Sequence, residues 1–254
     1  MPTMPTVPTV PTMPTMPTVP TMPTVPTGHA DVTPREGGLH PPANPDAPTG
    51  STASRAIEVA IQEVGRRQHG VASRAQVLAC GLTSSALGRR ARSGRYETIF
   101  RGVYRVGPLA THLTHPAAAA LAVGPNAVIS HASAALVHGW LPAADALHVE
   151  RADRASPRRR VDRVVCADVT LSRGHRRPRS GLRIHRGGSL SPDEVTTVAG
   201  IPVPTPVRTL VDAAAQLDAF TMERVVAAAR RAGAVDRAVL AAARSRYRGR
   251  AGID

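Results

Sequence analysis

The chain has 254 residues, with 32 basic against 18 acidic side chains, a formal net charge of +14 and a pI near 11.5. That balance selects for polyanionic partners, nucleic acid first. All 32 basic residues are arginine, which excludes a P-loop, whose lysine reaches the β/γ-phosphates, and a Schiff-base enzyme, whose nucleophile is lysine. Part of the arginine excess reflects GC-rich codons, so its distribution says more than its total: residues 51–110 hold ten arginines and three acids, and residues 151–190 hold twelve and three.

Nine Met/Val-Pro-Thr triplets fill Met1 to Thr27, and the composition stays rich in Pro, Gly and Thr to Thr52. Proline at every third position removes backbone donors and fixes φ, so residues 1–52 are expected to form a disordered low-complexity tail. A proline-motif ligand is the rival reading, and a translated DNA repeat upstream of the true start is another.

The apolar residues Ile57, Ala60, Ile61 and Val64 recur at helical spacing and predict a helix over Arg55 to Arg67, closed by His69-Gly70. From Val71 a helix-turn-helix follows. Ser73 and Gln76 form a capping box that opens a helix from Arg74 to Ala79. Gly81-Leu82 makes the turn, and Thr83 caps a second helix running to Ser93 and stopping at Gly94. On that helix Leu87 and Ala91 face inward, while Ser85, Arg89 and Arg92 form the opposite stripe. Two β-patterned runs, Tyr96–Phe100 and Val103–Val106, meet at Arg101-Gly102.

The order of three helices and a basic hairpin predicts a winged helix-turn-helix over residues 53–107, with double-stranded DNA as its partner. In such docking the second helix of the motif enters the major groove and flanking elements touch phosphate. Ser85, Arg89 and Arg92 are therefore candidates for base-edge contact, and Arg90, Arg95, Arg101 and Arg105 for phosphate. A solvated basic face on a module that contacts protein is the competing reading, and the mid-helix Gly88 costs roughly 1 kcal/mol of helix stability.

A second region, 109–246, is expected to be a small mixed α/β domain, making the whole α+β, with 247–254 as a C-terminal tail. Its predicted elements are helices His115–Val123 and Ser130–His138, then strands Leu147–Glu150, Arg163–Leu171 and Leu182–His185. A hairpin follows, Val195–Val198 with Ile201–Val203, and then helices Val207–Ala215, Ala219–Arg231 and Val235–Arg246, the first opened by Thr205-Pro206. The loops Arg154–Arg160 and Arg173–Ser180 read either as added phosphate affinity or as charged solvated chain. His131, His138, His148 and His185 lack metal spacing and read as packing histidines, and Trp140 as an anchor of the second core. Asp193-Glu194 shows no partner at informative spacing, whereas Asp212 lies one turn from Arg208.

No enzyme motif, cofactor or metal site is expected. The two isolated thiols, Cys80 and Cys166, together with the lack of a signal peptide or of an apolar run near 18 residues, fit a cytoplasmic protein without a membrane partner.

The segment "GVASRAQVLACGLTSSALGRRARSGRYETIFRGVYRVG" resembles the N-terminal winged-helix domain of AbiEi-type antitoxins of type IV toxin–antitoxin systems. "AVISHASAALVHGWL", "LRIHR" and "GIPVPTPVRTLVDAAA" resemble the second domain of actinobacterial relatives, so the likeness spans about Ile57 to Arg250. It implies a DNA-binding transcriptional autorepressor whose second domain counters a nucleotidyltransferase-like toxin. Many relatives continue into a nuclease module similar to very-short-patch repair endonucleases. "RYRGRAGID" resembles the entry to that module, whose carboxylate motif is missing. Two alternatives stay open: a toxin-neutralising interaction module with incidental DNA binding, and a truncated nuclease remnant. The operator and the oligomeric state are not legible.

Overall fold

A computed structural model of the chain describes residues 50–108, 110–146, 148–150, 163–165, 167–171, 180–185 and 190–250. Residues 1–49, both arginine-rich loops up to Arg179, and Cys166 lie outside these.

Helix α1 spans Gly50–Arg67 and so begins five residues before the predicted start, inside the stretch expected to be tail. Its inward stripe is Ile57, Ile61, Val64 and Gly65, with Ile61 fully buried. Ala60, predicted on that stripe, is exposed. Gly65 takes the inward place because a β-carbon there would stand 2.7 Å from Val106 Cγ2, so the chain crosses α1 at glycine distance.

The next element is a strand that the sequence pattern does not reveal, β1 (Val71–Ser73). Helix α2 (Arg74–Ala79) follows at the predicted boundaries, with both arms of the Ser73/Gln76 capping box formed. Helix α3 (Ser84–Arg92) carries its predicted Thr83 cap, whose side chain accepts from the Ala86 amide at 3.3 Å. Strands β2 (Glu97–Phe100) and β3 (Val103–Arg105) form the hairpin, turning at Gly102 with φ +81°. The sheet order is β1-β3-β2, antiparallel throughout. Around it Ile61, Val77, Leu82, Leu87, Tyr96 and Val106 make one buried core.

Helix α4 (Thr114–Val123) is buried on most sides. It precedes β4 (Ala127–Ile129), a second strand not predicted, and α5 (His131–Val137). The short α6 (Ala143–Ala146) is also new. Strand β5 (His148–Glu150) pairs antiparallel with β6 (Arg163–Val165). The expected continuous strand Arg163–Leu171 is two strands, β6 and β7 (Ala167–Leu171). Each has a different partner: β7 runs antiparallel to β4 and parallel to β8 (Leu182–His185).

The predicted hairpin is present as β9 (Val195–Val198) and β10 (Ile201–Pro204), turning at Ala199-Gly200 with φ +50° and +77°. Two successive positive φ values define the turn type that suits the right-handed twist of a hairpin. Helices α7 (Pro206–Ala214), α8 (Ala219–Arg231) and α9 (Arg237–Arg246) complete the fold. Neither Ser130 nor Thr205, the residues that precede α5 and α7, bonds its helix through the side chain. Helix α9 is capped by Asp236 and starts at Arg237, two residues later than predicted.

The fold is α+β, with a winged helix-turn-helix followed by a mixed region. The two share apolar contacts. Val71, Phe100 and Val103 of the wing pack in one cluster with Leu113, Ala118, Ile129, Val169 and Val203. Polar ties reinforce it: His69 Nε2 donates to the Ala199 carbonyl at 2.7 Å, and the Thr114 hydroxyl donates to the His69 carbonyl at 3.0 Å. Trp140 anchors a further core with Leu136, Leu141, Leu210 and Val225, as its position suggested.

Candidate nucleic-acid interface

Helix α3 is held by two inward side chains, Leu87 and Arg90. Leu87 is buried in the winged-helix core. The Arg90 guanidinium reaches Glu58 Oε2 on α1 at 2.7 Å and donates to the Tyr96 hydroxyl at 2.8 Å. That hydroxyl donates onward to Glu58 Oε1 at 3.2 Å, while the Tyr96 amide bonds the Arg90 carbonyl at 3.0 Å. Burial, then the Glu58 charge, push the Tyr96 phenol above its usual range, so it remains a donor at any neutral pH. At its other end, α3 is tied to α2 by Arg74 Nη2, which donates to Ser84 Oγ at 2.9 Å.

Locking Arg90 inward fixes what points outward. Ser85, Arg89 and Arg92 are exposed along one stripe, as the helical spacing predicts. No ion pair engages Arg89 or Arg92 among the described residues. Arg90 stands apart from the other sequence-selected arginines, with 14 % of its side chain exposed and its charge met by Glu58. Arg95 lies 3.2 Å from the same carboxylate oxygen but is 57 % exposed. On the wing, Arg101 is exposed beside Gly102. Arg105 sits opposite Glu97 in the β2–β3 register and donates to its Oε2 through Nε at 2.7 Å. The wing tip is anchored by the Arg74 amide, which bonds the Gly102 carbonyl at 2.7 Å.

The electrostatic consequence follows from pairing. All three carboxylates of residues 51–110 are committed: Glu58 to Arg90 and Arg95, Glu63 to Arg66 and Arg67, Glu97 to Arg105. Glu63 is accordingly held down to about 2, chiefly by Arg66, with Arg67 adding to it against a small cost of burial. Among the described residues Arg89 and Arg92 keep their charge outside any ion pair, on the outer face of α3, the element that enters the groove in this architecture.

Sequence reasoning missed Glu58 and the role of Tyr96. Glu58 lies 32 residues before Arg90 on another helix, so no local spacing links them. One signal was available: a carboxylate next to the buried stripe of α1 in a segment with ten arginines.

A second polar cluster lies in the mixed region. His131 and His185 stack with ring centroids 3.5 Å apart. His185 Nε2 donates to Asp168 Oδ1 at 2.8 Å, and Gln216 Nε2 donates to the same oxygen at 3.1 Å. The fully buried Ser130 uses its hydroxyl to accept from Thr170 at 2.9 Å and to bond His131 Nδ1 at 3.0 Å, which is why it does not cap α5. Burial first, then the neighbouring His185, Arg208 and Arg183 charges, outweigh Asp168 and push His131 down to about 3. His138 instead stacks on Trp140 and donates to the Pro204 carbonyl at 3.0 Å, the packing role expected of it.

Glu194, which has no partner at informative spacing in the sequence, is met by several donors in the fold. It accepts from the Tyr247 hydroxyl at 2.6 Å, from Arg208 Nη1 at 3.0 Å, and from its own cap at Ser191. Burial raises its pKa, but these donors overcome that and hold it at about 2. Arg208 also donates to Asp212 at 2.9 Å, the pair that sequence spacing suggested. Among the described residues, no three His, Cys, Asp or Glu side chains converge so as to hold a metal ion. No helix among them is long and apolar enough to cross a membrane.

These elements define a winged helix-turn-helix with an exposed basic face on α3. Residues 60–107, from within α1 to just past β3, match a protein family described as a transcriptional regulator, AbiEi antitoxin. A comparison with curated proteins finds no match.

Proposed function

We propose that this chain is a sequence-selective DNA-binding autorepressor of the AbiEi antitoxin type, with residues 53–107 as its DNA-binding domain. The observation that carries the reading is the division of arginines around α3. Arg90 is consumed in fixing the helix, which leaves Arg89 and Arg92 presented on a rigid face without internal partners. Ser85, Arg89 and Arg92 read base edges, where arginine pairs bidentately with guanine. Arg95, Arg101 and Arg105 meet phosphates, which set position without reading sequence. Arg90 moves from the phosphate set to a positioning role, because its charge is already neutralised by Glu58. The family description supports the regulatory reading, and the excess of ten arginines over three acids in residues 51–110, with Arg89 and Arg92 exposed on one face, supports duplex DNA as the partner.

We take residues 109–246 as the antitoxin-like region; the antitoxin description, matched over residues 60–107, supports a toxin as the protein partner, and the sequence resemblance makes that toxin nucleotidyltransferase-like. DNA fragments retained by the purified protein and then sequenced would supply the operator. On that operator, Arg89→Ala with Arg92→Ala abolishes the selective gel shift but keeps weak binding to random duplex. Arg101→Ala weakens all sequences alike and lowers the salt slope by about 1. Equal losses on operator and random DNA for both variants refute the division.

A further inference from the structure

Between the α5–α6 segment and α8 lies a half-open cavity of about 500 Å³. Its floor is apolar: Leu136, Trp140 and Leu141 line it and are themselves buried in the second core. Its wall is one stripe of α8, Arg224, Ala227, Ala228 and Arg231, at the i, i+3, i+4, i+7 spacing of a single helical face. The opposite face of that helix, Val225 and Ala229, is buried. The two alanines leave open the volume that longer side chains would fill, and an arginine stands at each end of the stripe.

Size and lining are those of a small-molecule site, which is mostly apolar with a few placed polar groups and typically about 300–1,000 Å³. Charge then selects the ligand. Arg231 has no ion pair among the described residues. Arg224 Nη1 lies 3.5 Å from Asp145 Oδ2 with both side chains well exposed, 52 % and 37 %, so water screens the pair and a competing anion can displace it. A cation would be repelled, and a neutral ligand would leave Arg231 without counter-charge beside an apolar floor. A carboxylate matches the planar donor fork of arginine, and an apolar body attached to it fits the floor.

We propose that this cavity binds a small organic carboxylate with a ring-sized apolar body, seated on Leu136, Trp140 and Leu141 and clamped by Arg224 and Arg231. The site is separate from the DNA-binding face and does not depend on that reading. Trp140 is the only tryptophan of the chain, so its emission reports on this cavity without labelling.

The test is a fluorescence titration of the full chain with phenylacetate, 3-phenylpropanoate and octanoate, with phenylacetamide and phenethylamine as neutral and cationic controls. A saturable change with at least one acid, absent with the amide and the amine, is expected. Arg231→Gln should weaken that acid about tenfold or more, the loss of one charge-assisted hydrogen bond. Ala227→Leu, which fills the opening and keeps both charges, should abolish binding with the melting temperature unchanged. No saturation with any of the acids, equal response to acid and amide, or unchanged affinity in Arg231→Gln would each overturn the assignment. Saturable binding of an acidic peptide such as acetyl-Leu-Glu-Glu-Leu-amide, with none of the acids bound, would overturn it in favour of a protein partner.

Discussion

Replacing Arg90 by alanine separates a positioning arginine from a DNA-contacting one. The change removes the 2.7 Å ion pair to Glu58 and the 2.8 Å hydrogen bond to Tyr96. Removing one member of a buried pair costs about 3–5 kcal/mol, because the other charge is left without its partner. Glu58 keeps Arg95 and the Tyr96 hydroxyl, each at 3.2 Å, and is 20 % exposed, so the expected cost falls to about 2–3 kcal/mol. For a domain of this size that corresponds to a melting temperature lower by roughly 4–12 °C. Arg89→Ala, at an exposed and unpaired site, should stay within about 0.5 kcal/mol of the parent.

Urea denaturation gives the stabilities, and the salt dependence of DNA binding, measured well below the melting point, gives the number of phosphates released. The Arg90 variant should be unstable with an unchanged salt slope; the Arg89 variant should be stable and impaired on its operator. In a double-mutant cycle, Glu58→Gln combined with Arg90→Ala should cost less than the sum of the two by about 1–2 kcal/mol. Parental stability in Arg90→Ala, together with a reduced salt slope, would show the arginine to be a phosphate contact after all.

Gly88→Ala should stabilise the chain by about 0.5–1 kcal/mol in the same denaturation assay. A β-carbon there meets nothing within 4 Å, and a loss of stability would mean the α3 surface is packed. Gly65→Ala should instead cost about 1–3 kcal/mol through overpacking against Val106, 2.7 Å away. A neutral result would show that the crossing relaxes freely. Tyr247→Phe removes the 2.6 Å hydrogen bond to Glu194 and should lower stability by about 1–2 kcal/mol, most clearly above pH 4.5, where Glu194 is ionised in both states.

His131 titrates near 6.5 when unfolded and near 3 when folded. The unfolded chain therefore binds the extra proton first. Stability from this group is complete above pH 6.5 and declines as pH falls towards 3, by up to about 1.4 kcal/mol per pH unit. His131→Asn, which tolerates the positive φ of +53° at this position, should flatten that part of the stability–pH curve, and an unchanged curve would place the titration elsewhere.

What the sequence by itself determined is local. Capping, glycine stops and 3.6-residue periodicity are interactions between neighbours along the chain, and they placed α2, α3, β8 and α8 within a residue of their observed bounds. They also put Ser85, Arg89 and Arg92 on one exposed stripe. Tertiary structure decided whatever depended on a distant partner. The strands β1 and β4 have only three residues each, too short for a periodic signal, and exist because β3 and β7 supply their hydrogen bonds. Ala60, expected inward, is exposed, and Gly65 lies buried where Val106 crosses α1.

The same logic sorted the arginines, which look alike in sequence. Arg90 turned inward because a carboxylate on α1 and a tyrosine beyond the helix met it there, while Arg89 and Arg92 meet no counter-charge among the described residues and are exposed. Ser130 gave up its cap for Thr170 and His131, and Glu194 acquired Tyr247 from 53 residues away. A buried charge or hydroxyl must be satisfied by whatever the fold brings near it. That requirement operates in three dimensions, and only the assembled core reveals which residues meet it.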